Sequence, residues 1–345
     1  MRVLVTGHLG YLGTVAVPVL SARGHDVAGL DAGLFAECRL GPPASSPARE
    51  HLVDLRDVGP SVCDGVDAVV HLAALSNDPL GSLDATLTHE INVDATLRLA
   101  RLARDAGVKR FVFSSSCSIY GTAGGDTLVT EDAPMRPVTP YAASKVRAED
   151  GLHALADGDF SPVSLRNATA YGWSPRLRLD VVVNDLVTRA LLTGEVRVLS
   201  DGSPWRPVVH AEDIASVVAE ILVAPRDLVH DAVFNVGFSS ENYRVLELAE
   251  IVASVVEGSR VVVTGETGPD PRSYRVDFSR LARAFPALAP TWDVRRGSRD
   301  LLERLREYGI RSADRPRFTR LAWLTALRDA GRLTESLRWT ADETS

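Results

Sequence analysis

The first thirteen residues constrain this chain more than any other stretch. Arg2-Val3-Leu4-Val5-Thr6 is an apolar, β-branched run, and Gly7, Gly10 and Gly13 follow it at three-residue spacing. The pattern predicts a buried strand over 2–6, a tight turn, and a helix over about 11–23. Glycines suit that turn because the backbone must pass close both to a bound group and to the helix behind it. The helix N-terminus then offers N–H groups and the positive end of its dipole, which favours a phosphate. His25 to Leu30 reads as a second strand ending at Asp31, 24 positions past Gly7. A carboxylate there accepts hydrogen bonds from ribose hydroxyls and repels a 2′-phosphate, so NAD is favoured over NADP. A loop aspartate capping a turn is the plainer alternative for Asp31.

Strands and helices then alternate. Short strands are expected near Glu50–Val53, Asp67–His71, Arg110–Ser114 and Pro162–Leu165, with helices over about 84–106 and 140–156. Thr139 is placed to cap the second helix, and Pro140 suits its first turn. This alternation points to an α/β fold, a doubly wound parallel sheet of the Rossmann type. Past Tyr171-Gly172 the pattern loosens into helices near 181–193, 211–223 and 244–255, with strands near 196–199, 206–209, 232–236 and 260–264. We read 1–168, completed by about 207–237, as the dinucleotide-binding domain. Residues 169–206 and 238–345 are expected to form a smaller, interleaved α/β substrate domain. Its Arg-rich tail, 297–339, reads as a helical packing appendage.

Composition narrows the function classes. A chain of 345 residues can bury a large core, and its net charge of −7 argues against general nucleic-acid binding. No apolar run reaches the length of a bilayer span, and the apolar start is too short for a signal peptide. Cys38, Cys63 and Cys117 are widely spaced, which suits reduced thiols and a cytoplasmic location. Neither they nor the eight histidines show metal-ligand spacing.

Tyr141 and Lys145 lie four apart on the helix over 140–156, so they share one face. The chain has seven tyrosines but only two lysines, Lys109 and Lys145, which makes a chance pairing uncommon. Taken alone, the pair also suits the surface of an ordinary amphipathic helix. Ser116, just past the strand at 110–114 and 25 residues before Tyr141, changes that reading. Strand C-termini are where ligands sit in such sheets. A neighbouring ammonium and a positive nicotinamide ring would both favour phenolate, so Tyr141 is expected to titrate below its ordinary value near 10.

With these residues in view, the chain resembles an extended short-chain dehydrogenase/reductase of the sugar-nucleotide epimerase/dehydratase family. The resemblance runs nearly the whole length. It rests on Thr6-Gly7-x-x-Gly10-x-x-Gly13, Val53-Asp54-Leu55-Arg56-Asp57, Val70-His71-Leu72-Ala73-Ala74 and Ile91-Asn92-Val93. It continues through Phe113-Ser114-Ser115-Ser116, Tyr141-x-x-x-Lys145, Arg206-Pro-Val-Val-His210 and Phe234-Asn235-Val236-Gly237.

The resemblance implies NAD as cofactor, a nucleotide sugar as substrate, and a homodimer paired through helices 84–106 and 140–156. Ser116, Tyr141 and Lys145 take the catalytic places. The cofactor set is Gly7, Gly10, Tyr11, Leu12, Gly13, Asp31, Asp54, Leu55, Leu72, Ala73, Ala74, Asn92 and Ser114, with Tyr141 and Lys145. Thr169, Asn184, Leu186, Arg206 and Arg272, together with Ser116, take substrate positions, Arg272 within Asp270-Pro271-Arg272-Ser273-Tyr274. Trp173 and Trp205 suit either stacking on a ligand or packing in the core. Relatives that eliminate water across C5–C6 carry an Asp-Glu pair where this chain has Cys117 and Ser118, so a 4,6-dehydratase is disfavoured. A cysteine at the position of Ser118, frequent in 3,5-epimerases, is also missing. The expectation is therefore an epimerase acting at C4, with a ketoreductase or a non-catalytic dinucleotide-binding protein as alternatives.

Overall fold

The computed structural model describes residues 1–43, 45–122, 127–266 and 272–340. Seven strands build its large sheet: β1 (Arg2–Thr6), β2 (Asp26–Asp31), β3 (Arg49–Leu52), β4 (Ala68–His71), β5 (Arg110–Ser116), β6 (Ser161–Asn167) and β7 (Ala232–Val236). They lie in the order β7-β6-β5-β4-β1-β2-β3, and every pairing is parallel. The chain runs outward from β1 to β3 and then returns to β4 on the other side of β1. A crevice opens at the strand C-termini where the order reverses, between β1 and β4. Register brings the ends level there: Thr6 sits opposite both Leu30 and His71.

The helices are α1 (Gly13–Ala22), α2 (Ala95–Asp105), α3 (Pro140–His153), α4 (Val182–Thr193), α5 (Ala211–Val223), α6 (Val245–Val255), α7 (Val294–Glu307) and α8 (Arg320–Asp329). Because strand side chains alternate between faces, β1 feeds two cores. Val3 and Val5 join Val17 and Leu20 of α1 with Ile214 and Val218 of α5. Leu4 joins Leu99 and Ala103 of α2 with Ala148 and Leu152 of α3. Each buried aliphatic side chain of this kind contributes about 1.5–3 kcal/mol.

The single helix expected over 84–106 is interrupted. Ala85–His89 passes through a π turn, Glu90–Asp94, before α2 begins. The cap of α3 forms as its sequence indicates, with Thr139 Oγ1 accepting from the Ala142 amide at 3.1 Å and Pro140 in the first turn.

Thr169–Tyr171, Trp205–His210 and Asn242–Arg244 form a separate three-stranded sheet. The strand expected at 206–209 thus lies outside the large sheet, whereas 232–236 is its β7 edge. Helices α4, α6 and α7 share a core of their own, including Val183, Val187, Leu248, Val252, Leu301 and Leu305. Leu324 and Leu327 of α8, with Leu333 and Leu337 beyond it, pack on Leu75, Leu80 and Leu87. The C-terminal segment is therefore seated beside the strand-end segment that follows β4.

Candidate active site

A cavity of about 440 Å³ opens above the strand C-termini, and the glycine turn forms part of its wall. Gly7 takes φ +72°, and a Cβ there would lie 2.8 Å from the Ala73 amide nitrogen. A Cβ on Gly13 would come within 2.1 Å of the Gly7 carbonyl oxygen, so α1 approaches the turn only because both positions lack side chains. The Gly7 amide donates to the Leu30 carbonyl at 2.8 Å, which levels the turn with the end of β2. Asp31 is fixed by its own neighbours: its carboxylate accepts from the Leu9 amide at 3.1 Å and the Gly33 amide at 2.8 Å. Gly7, Gly10, Tyr11, Leu12, Gly13, Asp31, Asp54, Leu55, Leu72, Ala73, Ala74 and Ser114 all reach the cavity wall. Asp54 is gripped by the Arg56 fork, with contacts of 2.9 and 2.7 Å.

Ser116 at the end of β5 and Tyr141 and Lys145 on α3 converge on the same cavity. The Ser116 hydroxyl favours the Tyr141 phenolate, and its Oγ accepts from the Ser118 amide at 3.1 Å. Lys145 Nζ donates to the Ser114 carbonyl at 2.7 Å and sits 5.8 Å from the Tyr141 ring centroid. The protein's own groups do not acidify the phenol as expected. Burial, then the Asp78 carboxylate, push Tyr141 up to about 12, against opposing pulls from Ser116, Arg178 and Arg272. Burial likewise pushes the Lys145 ammonium down to about 7, with Glu149 pulling the other way. Desolvation disfavours the charged form of each group, and for both it is the largest cause.

Thr169, Arg206 and Arg272 reach the cavity wall. Arg206 donates to the Trp205 carbonyl at 2.9 Å and to the Arg272 carbonyl, while the Arg272 guanidinium pairs with Asp78. Asp270 and Pro271 lie outside the described residues. Asn92, Asn184 and Leu186 do not line the cavity. Asn92 is buried in the π turn, where its side chain accepts from the Leu75 amide at 2.8 Å and donates to Ser144 Oγ at 3.1 Å. Asn184 accepts from the Gly172 amide at 2.9 Å and donates to the Gly172 and Arg178 carbonyls, so its amide is occupied in holding the backbone. Leu186 is core, packed with Val183, Val187 and Leu248. Trp173 packs against that same core, tilted toward Tyr308 with ring centroids 5.4 Å apart. Trp205 lies under the Arg244 and Arg275 guanidinium groups, at 4.7 and 4.6 Å.

Several wall residues carry no motif that marks them in the sequence. Asp78 sits beside Tyr141, and Arg178, Asp180, Arg320 and Leu337 come from segments far from the glycine turn. Proximity to Tyr171-Gly172 is the one sequence cue for Arg178 and Asp180.

Comparison with known proteins agrees with this geometry. A family model described as the NAD dependent epimerase/dehydratase family matches residues 3–237, from β1 through β7. The chain belongs to that family. A UDP-glucose 4-epimerase of Mycolicibacterium smegmatis is 32% identical over 229 residues, covering 62% of this chain and 71% of the relative. A dTDP-glucose 4,6-dehydratase of Streptomyces griseus is 30% identical over 311 residues, covering 86% of this chain and 91% of its own. Among solved structures, MoeE5 in complex with UDP-glucuronic acid and NAD superposes with a TM-score of 0.74 at 30% identity, over 89% of this chain and 99% of that one. Members of the epimerase/dehydratase family are NAD-dependent enzymes acting on nucleotide sugars, and NAD is the cofactor here. The wall fits it: the side-chain-free turn at Gly7, Gly10 and Gly13 leaves room for a diphosphate, and Asp31 closes the end of β2 where a ribose would sit. No helix among the described residues is long and apolar enough to cross a membrane.

Proposed function

We propose that this protein is a nucleotide-sugar epimerase that inverts C4 by transient oxidation to a keto-sugar, with no net consumption of NAD. One observation carries the reading: Ser116, Tyr141 and Lys145 meet on the cavity wall, and the two residues after Ser116 are Cys117 and Ser118. Tyr141 Oη takes the proton of the sugar hydroxyl and later returns it. Ser116 Oγ holds the same sugar oxygen throughout. Lys145, fixed through the Ser114 carbonyl, supplies positive charge near the phenol and a donor for the cofactor's ribose. NAD supplies the hydride acceptor and donor at that carbon. Arg206 and Arg272 offer planar cations for the substrate diphosphate, and Thr169 lies on the same wall.

Identity does not separate epimerase from dehydratase, because relatives of both names are about equally similar. The residues beside Ser116 support the epimerase reading. Relatives that eliminate water across C5–C6 resemble one another in an Asp-Glu pair directly after the catalytic serine. Here Cys117 is buried with its thiol donating to the Arg166 carbonyl at 3.1 Å, and burial pushes its pKa far upward. Ser118 is buried as well. Neither supplies an acid or a base.

The test is to mix purified protein with UDP-, GDP-, dTDP- and ADP-sugars without added cofactor. The C4 epimer of one of them should form with no net change in NADH absorbance. A requirement for stoichiometric reductant would exclude the reading in favour of a ketoreductase. A homodimer joined through the Ala85–Asp105 segment and α3 belongs to the same proposal, and light scattering that gives a monomer would remove it.

A further inference from the structure

The C-terminal segment does more than cover apolar surface. Its Trp323 indole donates to the Leu34 carbonyl at 2.9 Å, and its Trp339 indole donates to the Ala32 carbonyl at 2.6 Å. Both acceptors lie in the loop just past Asp31, and Leu337 reaches the cavity wall beside them. The segment also delivers a cation. Arg320, the first residue of α8, is 2% exposed, lines the cavity, and stacks its guanidinium 4.5 Å from the Phe35 ring centroid. Its Nη2 donates to the Arg176 carbonyl at 2.9 Å, while its Nη1, also buried, has no hydrogen-bond partner among the described residues.

Arg178 is the second buried cation on this stretch of wall. It grips Asp180 at 2.9 and 3.2 Å and reaches Ser76 Oγ at 3.2 Å. Asp180 is already taken up by Arg178, by the Asn77 amide at 2.7 Å, and by the Arg320 backbone amide at 3.4 Å. Two guanidinium groups and one carboxylate, which only Arg178 grips through its side chain, thus occupy a desolvated wall, leaving net positive charge beside the cavity. Burial and the neighbouring Arg178 push Arg320 down to about 10, so it stays protonated at neutral pH. Position says which anion balances this charge. Arg176 Nε donates to the Leu9 carbonyl inside the glycine turn at 3.1 Å, and the Arg178 carbonyl is tied through Asn184 to the Tyr11 hydroxyl. The pair is therefore anchored to the turn where a dinucleotide diphosphate lies. Of the other wall arginines, Arg206 and Arg272 are tied to each other and to Asp78, and Arg56 is paired with Asp54 and Glu90.

We propose that Arg178 and Arg320 form the anion site for the cofactor's diphosphate, and that the segment 319–340 straps the dinucleotide into its groove. This rests on NAD being the cofactor and not on the C4 reading, which fails separately if no epimer forms. The tests use stripped full-length protein and calorimetric titration with NAD, ADP-ribose and adenosine. Arg320→Met should weaken NAD and ADP-ribose by at least about tenfold, the loss of one charge-assisted contact, and adenosine by less than about threefold. Arg320→Lys should restore part of the difference. UDP binding to NAD-loaded protein should stay unchanged. Affinities for NAD and ADP-ribose within about twofold of the parent protein, or a loss confined to UDP, would overturn the site. If Arg320→Met does not fold, hydrogen exchange on the unsubstituted protein decides: NAD should slow exchange across α8 and residues 331–340, and equal exchange with and without NAD would overturn the strap.

Discussion

Tyr141 must give up a proton that its surroundings hold. Burial is the larger cause and the Asp78 carboxylate the next, and both act against the phenolate. Tyr141→Phe should therefore cut kcat by about 10²–10⁴ while dinucleotide affinity stays near that of the parent, since only proton transfer is removed. Stopped-flow turnover with calorimetry on the same sample checks both, and retained turnover would end the proposed mechanism. Asp78→Asn removes a negative charge beside the phenol, so the acidic limb of the kcat–pH profile should move to lower pH. His71 makes a separate, structural prediction. It is buried between Thr6 Oγ1 at 2.7 Å and Thr96 Oγ1 at 2.8 Å, and burial, then Lys145, push it down to about 3. The unfolded chain binds this proton below about 6.5 while the folded chain does not, so stability is full above that pH and is lost as pH falls toward about 3. Urea melts from pH 7 to pH 4 should lose up to about 1.4 kcal/mol per pH unit from this group, and His71→Gln should flatten the slope.

Among the elements, α1 and the turn before it carry the tightest constraint. A Cβ at position 13 meets backbone on two sides, the Gly7 oxygen at 2.1 Å and the His8 Cα at 2.5 Å, and neither can move like the end of a flexible side chain. Gly13→Ala should push α1 away from the turn and weaken NAD at least about tenfold in equilibrium titration, whereas Gly158→Ala, which meets nothing within 4 Å and needs no left-handed backbone, should leave NAD affinity unchanged. These positions are legible in the sequence because a turn and a helix are local: spacing alone sets which residues meet. The same holds for Tyr141 and Lys145, one helical turn apart, and for Thr139 as the cap that starts α3. The environment of the pair is not local. Asp78 and Arg272 reach it through the tertiary fold, which is why the direction of the Tyr141 shift is absent from the motif. Asp180 and Arg320 lie 140 positions apart, and no periodicity relates them. Asn184 and Leu186 show the converse, since a matching motif position says nothing about which way a side chain on α4 faces.

At the scale of the whole molecule, one cavity is walled by the large sheet, by the small sheet and by the C-terminal segment. Gly7 and Ser116 come from the first, Thr169 and Arg206 from the second, Arg320 and Leu337 from the third. A ligand touching all three stabilises them together, because each must be folded for the site to exist. The strap strengthens that coupling: Arg332 pairs with Glu37 at 2.7 Å, and Arg338 pairs with Asp57, both on the large-sheet side. Differential scanning calorimetry of stripped protein should show how far the parts melt as one. NAD at a hundredfold excess over its Kd should add about 2.7 kcal/mol. For a chain of this size that is a rise of several degrees, and the full transition should move without splitting. Tyr141→Phe should show the same shift, since it leaves the wall intact. A profile in which NAD moves one transition and leaves a second in place would mean that the substrate-side sheet and α8 fold independently of the cofactor groove, and the C-terminal segment would then be a passive cover.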